Sequence, residues 1–106
     1  MNTTRVLTLA LMLCPALSAL AAEVVVTQKD KAFSTKAITV KVGDKVTFKN
    51  EDAFSHNIFS LTDAMPFDLG TYGGGQMKIV TFDKAGKFEI ECAIHPDMRM
   101  VITVSP

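Results

Sequence analysis

Most of the chain consists of short runs of β-branched and aromatic residues in which apolar and polar positions alternate. A period of two is typical of strands with one buried face, and no window shows the sustained apolar spacing of three and four residues that would predict a helix. Seven or eight strands are expected. They contain Val24–Val26, Ile38–Val42, Val46–Phe48, Ile58, Met77–Ile79, Phe88–Ile90 and Met100–Val104.

Turn-forming residues separate these runs, at Gly43–Asp44, Asn50–Asp52, Gly73–Gly75 and Lys84–Gly86. Many short strands divided by such turns predict an all-β fold, an antiparallel Greek-key sandwich or barrel. The longest stretch without a strand pattern, Ser60–Gly75, is expected to contain the crossing between the two sheets.

The first residues follow a different pattern. Arg5 precedes an apolar run that continues to Leu20 and ends among small residues. This is the layout of a cleavable secretory signal, and the run is short for a transmembrane helix. We therefore expect residues 1–21 to be a signal peptide that directs export to the periplasm without stable membrane insertion, with cleavage after Ala21 or Ala22.

The remaining residues, 22–106, are enough for one small domain. The full chain has 11 basic and 11 acidic residues, a balance that gives no support to a nucleic-acid partner, and we expect a monomer. Its two cysteines are Cys14, inside the predicted signal, and Cys92. Because exported domains usually use cysteines in pairs, a lone Cys92 calls for a chemical explanation.

The chemistry-bearing segment is a C-x-x-H-x-x-M motif between two predicted strands, formed by Cys92, His95 and Met98, and His56 is the only other histidine. One thiolate, two imidazoles and a thioether are the ligands of a type 1 copper site. The mixture suits both oxidation states, because Cu(I) prefers sulfur and Cu(II) prefers nitrogen. These residues therefore predict a single copper ion that changes oxidation state with little rearrangement.

The residues alone leave three alternatives. Cys92 could be an inert buried thiol, since unpaired cysteine is among the most buried residue types. Zinc also binds cysteine and histidine, and Asp97 could supply an oxygen ligand. A thiol enzyme would use Cys92 as nucleophile and His56 as base, although no substrate pocket or oxyanion hole is evident in the sequence.

Four segments resemble one family, the small blue copper proteins or cupredoxins of the amicyanin and plastocyanin branch. They are Val40–Val46, the segment from Asn50 to Ile58, Gly86–Cys92, and the loop from Cys92 to Met98, which is short as in amicyanin. The resemblance covers nearly all of residues 22–106 and implies a cupredoxin-like fold.

The resemblance implies that Met98 is the axial ligand and that Asn57 ties the strand beneath the first histidine to the ligand loop. The chain departs from the family at Ser55, where a proline is usual, and at Met100, where a glycine is usual. A second thioether therefore competes for the axial position, and loop spacing favours Met98. The implied copper ligands are His56, Cys92, His95 and Met98.

The implied function is one-electron transfer, not enzymatic catalysis. The resemblance suggests a periplasmic dehydrogenase of the methylamine type as electron donor and a c-type cytochrome as acceptor, docking near His95. Exposed apolar residues commonly mark such contact surfaces. The candidates are Phe54, Met65, Pro66, Phe67, Ala93 and Pro96.

A copper-binding or delivery protein without an electron-transfer role is the alternative. Delivery needs exchangeable and exposed Cu(I) ligands, for which methionines could be recruited, whereas a thiolate ligand argues for a retained metal. The methionines available for that role are Met65, Met77, Met98 and Met100.

Overall fold

The structure, a computed structural model, describes residues 21–106. The predicted signal peptide, apart from Ala21, and Cys14 lie outside the described residues. Within them no helix is long and apolar enough to cross a membrane. The described part contains nine strands: β1 (Glu23–Lys29), β2 (Ala32–Phe33), β3 (Ala37–Lys41), β4 (Lys45–Asn50), β5 (His56–Ser60), β6 (Phe67–Tyr72), β7 (Met77–Thr81), β8 (Gly86–Glu91) and β9 (Arg99–Ser105).

The strands form two sheets that pack as a sandwich, which confirms the predicted all-β class. One sheet has four strands in the order β2-β1-β4-β7, and the other has five in the order β3-β9-β8-β5-β6. Apolar residues at every second position of a strand share one face, and in both sheets this face is turned towards the other sheet. The resulting core contains Val26, Val40, Val46, Phe48, Ile58, Tyr72, Val80, Phe82, Phe88, Ile90, Met100, Ile102 and Val104.

Two details of the predicted sandwich are corrected. The strands number nine among the described residues, because the two-residue β2 is too short to show an alternation in sequence and β6 lies in a stretch without a strand pattern. Both sheets are mixed, since β1 runs parallel to β4 and β3 runs parallel to β9. Parallel pairing joins segments that are distant in sequence, so the local patterns that predict a strand do not reveal its partner's direction.

The predicted irregular stretch contains a strand as well as a crossing. Strand β6 pairs with β5 in the five-stranded sheet, and the chain then passes through Gly73–Gly75 to β7 in the other sheet. At Gly74 an added Cβ would lie 2.5 Å from the carbonyl oxygen of Asp52. The missing side chain thus lets the sheet crossing pack against the loop between β4 and β5, at the end of the sandwich where His56 begins β5.

Candidate metal centre

The four sequence-predicted ligands come from one strand start and one loop. His56 is the first residue of β5, and Cys92 follows the last residue of β8. His95 and Met98 lie in the connection between β8 and β9, which begins at Cys92 and ends at Met98. His56, Cys92 and Met98 are buried, whereas His95 is partly exposed.

Three ligand atoms converge at this end of the sandwich. The Sγ atom of Cys92 lies 3.9 Å from Nδ1 of His56 and 3.9 Å from Nδ1 of His95. The two Nδ1 atoms are 3.2 Å apart. Among the described residues, these three form the one group of histidine, cysteine and acidic side chains whose ligand atoms all lie within 4.8 Å of one another.

The size of this triangle suits a metal ion. Bond lengths of about 2.0–2.1 Å to imidazole nitrogen and about 2.3 Å to thiolate sulfur are typical of zinc, a metal of similar size. At the centre of a trigonal plane, such an ion would place the nitrogens about 3.6 Å apart and the sulfur about 3.8 Å from each. The atoms of His56, Cys92 and His95 need to shift by only a few tenths of an ångström to bind one ion.

The ligand loop is closed by its own backbone. The N–H of Cys92 donates to the carbonyl oxygen of Met98 at 3.3 Å, and the N–H of Met98 donates to the carbonyl oxygen of His95 at 2.9 Å. These bonds hold all three residues in one compact turn. Met100 packs within the hydrophobic core cluster, whereas Met98, also buried, lies outside that cluster in the ligand loop.

Asn57 connects β5 to the ligand loop. Its backbone N–H donates to Sγ of Cys92 at 3.3 Å, and its side-chain Oδ1 lies 3.5 Å from the N–H of Ala93. Its Nδ2 donates to Asp68 on the neighbouring β6 at 3.0 Å. Asn57 therefore ties β5 to β6 and to the ligand loop, an arrangement that restrains the position of the Cys92 sulfur.

The environment of His95 favours its neutral form, and the Phe54 ring covers one side of both imidazoles. Desolvation, followed by the charges of His56 and Lys31, holds the pKa of His95 below its ordinary value of 6.5, although Asp52 acts in the opposite direction. A neutral imidazole has a free lone pair for a metal. The Phe54 ring lies edge-on to both histidines, with centroids 5.3 Å from His56 and 5.4 Å from His95.

Sequence reasoning missed one residue of the site, Asp52. Its Oδ2 lies 2.6 Å from Nε2 of His56, and both side chains are buried. Burial raises the pKa of Asp52, but hydrogen bonds from His56, Asp30 and Lys31 outweigh it and bring the pKa below 3.8. Residues four positions apart are predictable neighbours only on a helix. Asp52 lies in the loop before β5 and His56 is the first residue of that strand, so nothing in the sequence indicated their contact.

The alternatives left by the sequence lose support in this geometry. Asp97 is exposed and does not join the triangle of ligand atoms in the described structure, so the oxygen expected for a zinc site is not supplied. Cys92 is only 1% exposed, which leaves a nucleophilic thiol without access to a substrate. An inert thiol would not need two imidazole nitrogens directed at its sulfur.

Comparison with known proteins agrees with the geometry. The family model described as "Copper binding proteins, plastocyanin/azurin family" matches residues 20–105. Amicyanin from Paracoccus denitrificans is 32% identical over 77 residues, which cover 68% of this chain and 57% of that protein. The methylamine utilization protein MauL from Methylorubrum extorquens is 32% identical over 91 residues, which cover 85% of this chain and 80% of that protein.

Solved structures support the same relationship. A mutant of amicyanin in its Cu(I) form superimposes with a TM-score of 0.73 and 28% sequence identity, over 78% of this chain and 82% of that chain. The matched segment spans little more than half of the Paracoccus denitrificans amicyanin, at 57%.

The two buried methionines provide a test of the axial position. We expect Met98→Leu to raise the reduction potential of the copper-loaded protein and to move its visible band, because loss of a weak sulfur donor disfavours Cu(II), which prefers more ligands. Met100→Leu, a swap of similar volume in the core, should cost less than about 1.5 kcal/mol and leave both properties unchanged. Voltammetry and absorption spectra of the two variants would reveal a reversed assignment as a reversed pattern.

Proposed function

Because the chain belongs to the plastocyanin/azurin family of copper binding proteins, we propose that it is a carrier that transfers one electron at a time. The resemblance to the small cupredoxins is confirmed, and copper is the cofactor. As expected from the sequence, the chain is not an enzyme. The observation that carries the electron-transfer proposal is the triangle of one cysteine sulfur and two imidazole nitrogens, in which only His95 is partly exposed.

The proposed ligands are Nδ1 of His56, Sγ of Cys92 and Nδ1 of His95, with the thioether of Met98 as a weak axial ligand. When bound, the copper supplies the one-electron chemistry by alternating between Cu(I) and Cu(II). The mixed set of soft sulfur and nitrogen donors suits both states in part. The protein's own contribution is to hold these donors in a single arrangement, so that little has to move when the charge changes.

The surrounding residues hold the donors in place and exclude water. Both His56 and Cys92 are at most 1% exposed. The Cys92 sulfur accepts a hydrogen bond from Asn57, and the loop that supplies the other donors is closed by backbone hydrogen bonds. Hydrogen bonds of this kind orient metal ligands and restrict their movement.

An apolar patch around His95 is the proposed docking surface for redox partners. It consists of Phe54, Ala93, Ile94 and Pro96, all exposed. Ile94, which is 47% exposed, was missing from the patch expected from the sequence. Met65 and Phe67 were included in it, but both are partly buried and pack against the core.

The partners themselves remain proposals. Similarity to amicyanin and to a methylamine utilization protein supports a periplasmic dehydrogenase of the methylamine type as donor. A c-type cytochrome as acceptor is implied by the family resemblance, and we also propose that the protein is a monomer. A partner that docks on this patch would come close to His95, the one proposed imidazole ligand that is partly exposed.

Copper delivery is the weaker alternative. Met77 is 59% exposed on β7, in the four-stranded sheet, whereas Met98 and Met100 are buried beside the five-stranded sheet. These methionines therefore do not form one exposed cluster that could exchange Cu(I). The burial of Cys92 also favours a retained ion over a delivered one.

Addition of Cu(II) to residues 22–106 tests the electron-carrier proposal. We expect an intense thiolate-to-copper band near roughly 600 nm, small copper hyperfine splitting in the electron paramagnetic resonance spectrum, and a reversible one-electron couple by voltammetry. Cys92→Ser is the control and should abolish the band. A colourless wild-type complex, or rapid loss of copper to a mild chelator, would instead favour delivery or another metal.

Replacement of Ile94 by glutamate tests the docking surface. A charge buried in an apolar contact is costly, so the rate of electron transfer to a ferric c-type cytochrome should fall about tenfold or more. Leu61→Glu is a matched control, because Leu61 is 78% exposed and follows the end of β5 remote from His56. Stopped-flow rates that fall equally in both variants would exclude a specific role for the patch, provided that both spectra match the wild type.

Export to the periplasm is also proposed, on the basis of the charged and apolar pattern of residues 1–21. We expect the full chain, expressed in a bacterium with a periplasm, to be released by osmotic shock with its mass reduced by cleavage after Ala21 or Ala22. Arg5→Glu should lower the exported fraction, because the basic residue before the apolar run is part of the signal. Recovery of uncleaved wild-type protein from the spheroplast fraction would contradict the proposal.

A further inference from the structure

The loop before β5 places a buried carboxylate behind one of the proposed copper ligands. Oδ2 of Asp52 lies 2.6 Å from Nε2 of His56, while Nδ1 of the same ring faces Cys92 and His95. Asp52 is 9% exposed and His56 is fully buried. The imidazole is thus held by a carboxylate on one nitrogen and directed towards the metal position by the other.

From this contact we infer that Asp52 is a positioning residue of the copper centre that also lowers its reduction potential. By accepting the Nε2 proton, the carboxylate selects the tautomer of His56 whose Nδ1 lone pair faces the site. Its negative charge makes the imidazole a stronger donor and favours Cu(II) over Cu(I). The effect on potential rests on the proposed one-electron function, whereas the effect on the tautomer is a property of the protein alone.

The contacts of Asp52 require it to act as an acceptor. Its Oδ1 accepts the N–H of Asp30 at 2.7 Å, and its Oδ2 lies 3.3 Å from the N–H of Lys31. With the His56 ring, this makes three donors around two oxygens. A protonated carboxyl group would need to donate to one of these groups, and neither backbone N–H can accept. Both backbone N–H groups need acceptor oxygens, so these contacts favour the ionised carboxylate, which then accepts from Nε2 of His56 as well.

The carboxylate is held by a strained turn. Asp30 and Lys31 connect β1 to β2, and both have positive φ angles, of 53° and 57°. Such a two-residue hairpin turn favours asparagine and glycine, so a lysine in this conformation is strained. Both backbone N–H groups of the turn point at Asp52, and the same carboxylate binds His56. The turn and the copper ligand therefore share one acceptor.

The backbone of Asp52 is fixed as well. Its N–H donates to Oδ1 of Asn50 at 2.9 Å, and Nδ2 of Asn50 donates to the carbonyl oxygens of Phe54 and Tyr72 at 2.8 and 3.2 Å. Asn50 is fully buried. With both its main chain and its side chain restrained, Asp52 can hold the His56 ring in one orientation in both oxidation states.

Asp52→Asn is the primary test, and Asp44→Asn is its matched control. Asp44 is also 9% exposed and its carboxylate accepts two backbone N–H groups, from Ala22 and Lys41. It precedes β4, at the end of that strand remote from Asp52. The control therefore removes an equally buried, hydrogen-bonded carboxylate without touching the copper ligands.

We expect Asp52→Asn to lower the affinity for Cu(II) about 10- to 100-fold, as is typical for loss of a hydrogen-bonding partner of a metal ligand. Cu(I) affinity should fall less, so the reduction potential should rise, by about 59 mV for each tenfold change in the ratio of the two affinities. Asp44→Asn should leave both affinities and the potential at the wild-type values. Equal potentials in the two variants and the wild type would overturn the inference.

A second pair of substitutions separates the effect of Asp52 on the reduction potential from its effect on the turn between β1 and β2. Asp30→Asn combined with Lys31→Gly supplies the residues that the turn conformation favours, so the turn no longer depends on Asp52. The rise in potential caused by Asp52→Asn should persist in this background. If it disappears there, Asp52 acts only by ordering the turn, and its proposed role on His56 is wrong. This background also supports folding if the single variant is too unstable.

The tautomer of His56 can be tested in the metal-free protein, without copper. Long-range proton–nitrogen nuclear magnetic resonance spectra should show His56 protonated on Nε2 in the wild type and in Asp44→Asn, and a shifted tautomer balance in Asp52→Asn. A wild-type ring protonated on Nδ1 would reject the inference. A wild type that has the expected tautomer but no blue band would reject the proposed function while leaving the positioning role of Asp52 standing.

Discussion

The hydrogen bond from the backbone N–H of Asn57 to the sulfur of Cys92 is the contact on which the metal centre depends. At 3.3 Å it joins two segments separated by 35 positions in the sequence. Strands β5 and β8 share the ladder pair Phe59 and Glu91, and the bond from Asn57 to Cys92 extends this link beyond the end of β8. Because His56 immediately precedes Asn57, this contact brings an imidazole next to the thiol. Since β5 and β8 are neighbours in the five-stranded sheet, this hydrogen bond fixes how the start of the ligand loop sits relative to the first histidine.

A layer of buried polar groups supports this contact from the four-stranded sheet. Buried polar groups are costly unless they are hydrogen-bonded, and Asn50 meets this requirement through Asp52, Phe54 and Tyr72. The Tyr72 hydroxyl donates to the side-chain oxygen of Gln28. Burial, and then the nearby charge of Cys92, raise the pKa of Tyr72, which keeps this hydroxyl a neutral donor. The ends of β1, β4 and β6 are thereby tied together at the metal end of the sandwich.

The fold also decides which part of the site meets other molecules. His56 is enclosed by β5, by the Phe54 ring and by Asp52, whereas His95 sits on a loop that leaves the sheet and returns to it within a few residues. His56, on a strand, is therefore buried, whereas His95, on a loop, is partly exposed. This difference follows from topology, because loops lie at the surface and strand residues with inward side chains do not.

The sequence by itself determined the all-β class and predicted which residues would form the site. Both depended on features that need no tertiary structure: a period of two along the strands, and a motif that places Cys92, His95 and Met98 at short spacing. Tertiary structure alone decided the parallel pairing of β1 with β4 and the contact of Asp52 with His56. Each of these depends on which distant segments meet. Alternation specifies which face of a strand is buried, but not the strand beside it or the polar group that a buried side chain will find.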